Sequence, residues 1–222
     1  MNILVVDVGG TNVKVACVAR RRGETLKIPS GPGMTPGRMV AAVQGAIGDF
    51  KYDAVSIGLP GPVKGGKPVG EPKNLGKGWT RFDFRKAFKA PVRILNDASM
   101  QALGSYRGGK MLFLGLGTGL GTALVVPGTV IPLELAHLPY RKGKTYEDYL
   151  GTRGMRRLGR VKWTAHVADV VGILRVALQA ESVTLGGGNA KKLLSAPPGT
   201  RLSDNRQAIE GGILLWKDRP RR

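Results

Sequence analysis

The chain of 222 residues reads as an α/β protein of two similar lobes with a cleft between them. Three observations lead there. Val- and Ile-rich runs alternate with stretches of helical periodicity. The segment "ILVVDVGGTNVKVACVA", Ile3 to Ala19, is two apolar runs joined by Asp-Val-Gly-Gly-Thr-Asn: a strand, a tight turn and a strand. The same pattern returns in "KMLFLGLGTGLGTALVV", Lys110 to Val126, at a spacing that matches no tandem array, so the chain reads as two related halves.

The first hairpin is expected at Ile3–Val8 and Val13–Val18, turning at Gly9-Gly10. Thr35 can cap a helix that has Pro36 in its first turn. Tyr52–Gly58 reads as a buried strand ending at Leu59-Pro60-Gly61, and the Gly-, Pro- and Lys-rich stretch from Pro62 to Thr80 as loop with short strands. Phe82–Lys89 is a short amphipathic helix, Val92–Leu95 a strand that stops at Asn96-Asp97, and Ala98–Tyr106 a helix. After the second hairpin, Thr145 to Gln179 is mostly helical, with "TYED" fitting a capping box in type. Ala165, Val170, Ile173, Leu174, Ala177 and Leu178 supply the apolar face of its later part. Ser182–Leu185 is a strand entering Gly186-Gly187-Gly188-Asn189, with a helix to follow, and Arg206–Trp216 is a closing helix that can pack Ala208, Ile209, Ile213 and Leu215.

The composition, 42% hydrophobic and 23% charged, is that of a soluble globular protein of one large or two modest domains. No apolar run is long enough to cross a bilayer, and no basic segment with a cleavage site precedes the first strand, so a cytoplasmic protein without membrane partners is expected. Cys17 is the single cysteine, which excludes an intramolecular disulfide and a cysteine-based zinc cluster. Lys and Arg number 35 against 15 Asp and Glu, a net charge of +20. Such a surface attracts polyanions and phosphorylated molecules, or serves solubility alone. Aromatics are 6%, too few to interleave with basic residues for stacking on single strands, and no nucleic-acid module is present, so no specific nucleic acid is expected. The basic residues fall in Arg20-Arg21-Arg22, Lys64 to Lys77, Arg81 to Lys89, Arg141 to Lys144, Arg153 to Lys162 and a tail, Lys217 to Arg222.

Glycine-rich turns suit phosphate, because exposed N–H groups converge where no Cβ intervenes. A plain turn is the alternative for either hairpin alone. There is no P-loop spacing, and "GLGTGLG" lacks both the G-x-G-x-x-G spacing and the following helix of a dinucleotide fold. Asp7 at a strand end could hold Mg²⁺, through water, since oxygen ligands suit that ion. Thr11, Asn12 and Lys14 could then meet a transferred phosphate with hydroxyl, amide and ammonium; otherwise Asp7 is a turn residue and Lys14 a solvated one. Asp97 follows a strand where a carboxylate can project into a cleft as a general base, and it also suits the N-cap of the next helix.

Asp7-Val8-Gly9-Gly10-Thr11-Asn12-Val13-Lys14 resembles the first phosphate motif of sugar kinases in the actin-like ATPase superfamily, and "LGLGTGLGTAL" resembles their second. "SIGLPGPV", "NLGKGW", "LNDA", "ELAH" and "TLGGGNAKKL" follow in the order of the ROK family (bacterial repressors, open reading frames and kinases) over nearly the whole chain. Within that family the chain looks like the polyphosphate-type glucokinases, which share an "EDY"-like segment after the histidine in place of a cysteine cluster.

The resemblance implies a two-lobed actin-like ATPase (ribonuclease H-like) fold. Each lobe has a mixed sheet headed by a β-hairpin phosphate loop, and the active site lies in the cleft. Residues 1–97 with 206–222 would form the small lobe and 98–205 the larger one. It also implies a cytoplasmic glucokinase that uses polyphosphate, ATP or both, with Mg²⁺, on the 6-hydroxyl of a hexose, most often as a homodimer. Gly9 and Gly10 with Thr11, Asn12 and Lys14, and Gly117, Thr118 and Gly119, would bind phosphate. Gly186, Gly187, Gly188 and Asn189 would lie by the nucleotide or donor. Asn96, Glu134, His137 and Glu147 would contact the sugar with Asp97 as base, and Asn74, Pro60 and Gly61 would lie near it. Glu134 and His137 share a face if their turn is helical.

Most of the family pairs that histidine with three cysteines around zinc; with Cys17 alone, zinc is out, and "YRKGKTYEDYL" must hold Glu147 by capping its helix. His166 has no partner at useful spacing in its helix and reads as structural. The competing readings are an ATP-only hexokinase of other hexose specificity, a sugar-sensing regulator, which needs an N-terminal helix-turn-helix domain that does not precede Ile3, and a polyanion-binding protein on a degenerate scaffold, which predicts loss of Asp7 or Asp97.

Overall fold

A computed structural model of the chain describes residues 1–19, 22–204 and 206–217. The predicted basic residues Arg20 and Arg21, and those beyond Lys217, lie outside the described residues. The chain divides into two compact units, one of Met1–Met100 with the chain from Ala208, the other Gln101–Gln207.

In the first unit, β1 (Ile3–Val8) pairs antiparallel with β2 (Asn12–Val18), and β2 with β3 (Arg22–Pro29). The chain then forms α1 (Pro36–Ile47), β4 (Ala54–Leu59), a small hairpin of β5 (Val63–Lys64) and β6 (Lys67–Pro68), α2 (Phe84–Phe88), β7 (Val92–Asn96) and α3 (Asp97–Ser105). The sheet order is β3-β2-β1-β4-β7, with β4 parallel to β1 and β7 parallel to β4. All six residues of β1 are buried because both faces are covered. Leu4, Val6 and Val8 pack with Met39, Val43, Phe84 and Phe88 of α1 and α2, while Ile3 and Val5 pack with Met100, Ala208 and Ile209. Thr35 caps α1 as expected, its side chain accepting from the Arg38 amide.

The second unit repeats the plan. β8 (Met111–Leu116) pairs antiparallel with β9 (Leu120–Val126), and β9 with β10 (Thr129–Leu133). After a 3₁₀ turn at Leu135–His137 come β11 (Pro139–Arg141), β12 (Lys144–Thr145), α4 (Tyr146–Leu150), α5 (Thr152–Ala177), β13 (Ser182–Gly186) and β14 (Thr200–Leu202). The order is β10-β9-β8-β13-β14, with β13 parallel to β8 and β14 parallel to β13. Closing the chain, α6 (Arg206–Leu214) is pinned where Ser56 donates to the Gly212 carbonyl at 2.6 Å and accepts from the Trp216 indole at 2.8 Å.

Several features depart from the sequence reading. The strands β3 and β10 were not expected: their described side chains are largely exposed, so they carry little apolar signal, and a backbone ladder at the sheet edge holds them. The third, β14, also lies at an edge. The long helix α5 breaks at Gly159 (φ 74°) and buries Trp163, Val167, Val170, Val171 and Leu174, leaving Ala165, Ile173 and Ala177 exposed. The face is rotated toward Trp163, whose indole N–H donates to the Leu150 carbonyl at 2.9 Å. Finally, Gly186–Asn189 leads into a single 3₁₀ turn, Ala190–Lys192, rather than an α-helix.

Candidate active site

In the first unit, the turn between β1 and β2 is closed by the Gly9 amide donating to the Asn12 carbonyl at 3.0 Å. Ser30, beyond β3, braces it by donating its hydroxyl to the Gly9 carbonyl at 2.6 Å and its amide to the Thr11 carbonyl at 2.9 Å. Asp7 and Lys14 are cross-strand partners, and the Lys14 ammonium lies 3.0 Å from the Asp7 carboxylate. Asp7 is 5% exposed. It is thus no mere turn residue, and Lys14 is not simply solvated. A single carboxylate beside open turns, completed by phosphate oxygens and water, is a donor set that suits Mg²⁺. Among the described residues no group of three or more His, Cys, Asp and Glu comes together that could hold a metal without a substrate's help.

The Asn74 side chain is the nearest neighbour of Gly10 on its side-chain side, so the "NLGKGW" loop is folded onto the first turn. Glu71 fastens that loop by accepting from the Gly78 and Trp79 amides at 3.0 and 3.1 Å, and the buried Trp79 donates to the Gly76 carbonyl. At the end of β7, Asn96 rather than Asp97 is the capping residue: its Oδ1 accepts from the Ser99 amide at 3.1 Å. Its Nδ2 donates to the Gly61 carbonyl at 3.0 Å, tying the Pro60-Gly61 loop to α3. Asp97 is the first residue of α3 and accepts at 2.8 Å from the Ala98 amide through Oδ1.

In the second unit, three donors converge on the Gly117 carbonyl: the Thr152 amide (3.0 Å), the Thr152 hydroxyl (2.9 Å) and the Asn189 side-chain amide (3.0 Å). Asn189 is buried. Its amide nitrogen also donates to the Thr152 hydroxyl at 2.9 Å, and its Oδ1 accepts from Lys192 at 2.9 Å. Both N–H groups of its side chain are therefore committed to protein acceptors, and Asn189 braces the turn at Gly117 instead of offering its amide to a ligand. Gly187 permits this: at φ 82° its position disfavours a side chain, and a Cβ there would collide with the Leu116 backbone. Gly188 and Thr118 are free of such crowding or exposed.

Glu134 precedes the 3₁₀ turn and His137 ends it, their side chains 3.9 Å apart and 61% exposed. Glu147 lies in the first turn of α4 and reaches back to β9, where its carboxylate accepts from the Leu120 amide at 3.3 Å. It packs against Gly119 in space that a Cβ would fill. The capping box at Thr145 is present, with the Thr145 amide donating to Asp148 at 3.0 Å and the Asp148 amide to Thr145.

Sequence reasoning missed Thr152 and the partners of His166. The hydrogen bonds of both span 26 or more residues in sequence, beyond any local pattern. The Tyr140 hydroxyl lies 2.8 Å from His166 Nδ1 and donates to Asp169 at 2.6 Å. The first unit also carries a groove of about 720 Å³ along β7, lined by Lys67, Arg81, Phe82, Arg85 and Arg93 among others, which holds none of the predicted site residues.

Two five-stranded mixed sheets of one topology, each headed by a glycine-turn hairpin, define an actin-like ATPase fold. The sequence model of the ROK family matches residues 3–132, and the chain belongs to that family. It is 27% identical over 207 residues to a polyphosphate glucokinase of Mycobacterium tuberculosis, covering 84% of this chain and 77% of that protein. It is 28% identical over 134 residues to a glucokinase of Pyrobaculum calidifontis, covering 58% of this chain and 44% of that one. Among solved structures, the inorganic polyphosphate/ATP-glucomannokinase of Arthrobacter sp. strain KM superposes with a TM-score of 0.75 at 21% identity over 96% of this chain and 97% of that one. A ROK family glucokinase from Streptomyces griseus, in complex with glucose and AMPPNP, gives 0.74 at 18% identity over 97% and 98%. Among the described residues no helix is long and apolar enough to cross a membrane.

Proposed function

We propose that this chain is a sugar kinase that transfers a phosphoryl group from polyphosphate, ATP or both to the 6-hydroxyl of a hexose, glucose foremost. The observation that carries the reading is Asp97, a carboxylate mounted at the junction of β7 and α3, with Asn96 locking that junction to the Pro60-Gly61 loop. The names of the ROK relatives, polyphosphate glucokinase and glucokinase, support the activity.

Phosphoryl transfer asks the protein mainly for positioning and charge neutralisation. Asp97 orients the sugar hydroxyl and accepts its proton as the oxygen attacks. Glu134, His137 and Glu147 take up sugar hydroxyls, and a site built of such groups rejects analogues that leave them unpaired. Thr11, Asn12 and Lys14 offer donors to the transferred phosphoryl group, and the turn at Gly117-Thr118-Gly119 offers backbone N–H groups to the donor. Asp7 would hold Mg²⁺ through its water, and the ion when bound neutralises charge on the donor phosphates. The net charge of +20 favours polyphosphate among donors, since a polyanion gains from every nearby cation and loses steeply with salt.

The test is phosphorylation of glucose and other hexoses with ATP and with polyphosphate as donors. Turnover with polyphosphate that falls as salt rises supports the full reading. Turnover with ATP alone leaves a hexokinase of the same family, and no turnover on any hexose with either donor overturns the enzyme reading.

A further inference from the structure

The three groups proposed for the sugar, Glu134, His137 and Glu147, sit on one continuous stretch that leaves the sheet after β10 and returns to it in α4. Between His137 and Glu147 lie only the short β11–β12 ribbon and its turn. Two-stranded ribbons of this length do not hold a shape alone. The capping box orders α4 at one end, and the Tyr146 amide donates to the Leu138 carbonyl at 3.1 Å, but neither bond ties the ribbon to the body of the unit.

Tyr140 makes that tie. It stands on β11, and its hydroxyl crosses to α5, donating to Asp169 at 2.6 Å and lying 2.8 Å from His166 Nδ1. Its ring packs on Tyr146 and edge-on to Tyr149, both in α4, with centroids 5.3 and 4.9 Å away, and on His166 at 5.6 Å. Tyr149 in turn meets His166 at 4.7 Å. Arg141 lies 3.0 Å from the same Asp169 carboxylate. The hydrogen bond from Tyr140 leads in holding the Asp169 carboxyl below its ordinary range, so it is an ionised acceptor at neutral pH. Burial, then Asp169, push the phenol up, so it remains a donor. One phenol thus joins β11, α4 and α5.

We propose that Tyr140, with Asp169 and His166, is a positioning latch that fixes the His137–Glu147 stretch and thereby sets the enzyme's grip on its sugar. The proposal rests on the sugar-kinase reading for its effect on catalysis, and on geometry alone for its effect on the stretch. Tyr140→Phe keeps the ring packing and removes only the hydroxyl. It is expected to raise the hexose KM about tenfold, as for loss of one charge-assisted hydrogen bond, while kcat and the donor KM change by less than about threefold. Asp169→Asn weakens the same link and also loses the charge that pairs with Arg141, so it should raise the hexose KM at least as much, and the double variant no more than Asp169→Asn alone. Hydrogen exchange should show faster exchange at the amides of Leu138–Leu150 in Tyr140→Phe, with β8 and β13 unchanged.

An unchanged hexose KM in an active Tyr140→Phe enzyme overturns the proposal. So does a parallel fall of kcat and rise of both KM values, which marks general loss of fold. Should the wild type turn over no hexose, the kinase reading falls and exchange decides the latch: wild-type protection at Leu138–Leu150 in Tyr140→Phe overturns it, and faster exchange there upholds it.

Discussion

Asp7 and Lys14 face one another across the first hairpin, the Lys14 ammonium 3.0 Å from a carboxylate that is 5% exposed. The turn between them is short enough that the pair and the glycines form one unit: Gly9-Gly10 reverses the chain, and the reversal brings the charges together. Removing Lys14 strands a buried carboxylate. Lys14→Met is therefore expected to destabilise the protein by about 1–3 kcal/mol, below the cost of breaking a fully buried pair because Lys14 is partly solvated. Urea unfolding measures this, and a midpoint equal to wild type would show that the pair adds nothing. The double variant Asp7→Asn/Lys14→Met should recover part of the loss.

Asp97→Asn isolates chemistry from structure. The Asn side chain still presents an Oδ1 to the Ala98 amide, so α3 should start as before. Loss of a general base is expected to lower kcat by about 10²- to 10⁴-fold, while calorimetric glucose binding stays within about threefold of wild type. Undiminished turnover would sink the assignment of Asp97 as base and leave the kinase reading standing.

Gly187 and Gly188 are neighbours in sequence with opposite tolerances. Gly187→Ala forces a side chain onto φ 82° and into the Leu116 backbone, and should cost about 2 kcal/mol or more. Gly188→Ala has open space around its Cβ and should fall within about 0.5 kcal/mol of wild type. Thermal unfolding of the two variants side by side is the check, and equal midpoints would refute the contrast.

Stability should fall in two steps on acidification. Burial first, then Arg141 and Arg157, hold the His166 imidazole below its ordinary 6.5, with Asp169 opposing. The unfolded chain therefore takes up this proton first, and stability declines as pH falls from 6.5 toward the folded value. Asp169, held low by the Tyr140 hydrogen bond, and Asp148, held low by the Thr145 amide and hydroxyl, contribute fully above their ordinary 3.8 and lose this as pH falls through their folded values. Calorimetric scans should show the first step in wild type and not in His166→Gln. A first step that persists in His166→Gln assigns it elsewhere.

Both hairpins, the Thr35 cap, the capping box at Thr145 and the strand stopping at Asn96-Asp97 were legible in the sequence, because each depends on residues within a few positions of one another. So was the repeated plan of the two halves, since apolar runs joined by glycine turns leave a local signature. Three edge strands were not legible, because an edge strand is held by its neighbour's backbone and needs no apolar pattern of its own. The buried face of α5 was misread by a turn's fraction, since whether Ile173 or Trp163 points inward depends on what the sheet and α4 present to it. The site divides along the same line. Sequence determined which residue types stand at the turns. Tertiary structure decided what each one does there: Asn189 spends its amide on Gly117 and Thr152, Asn96 takes the cap expected of Asp97, and His166 finds Tyr140 from 26 residues away. A side chain's bonding capacity is small and fixed, so its role is settled by whichever neighbours the fold delivers first.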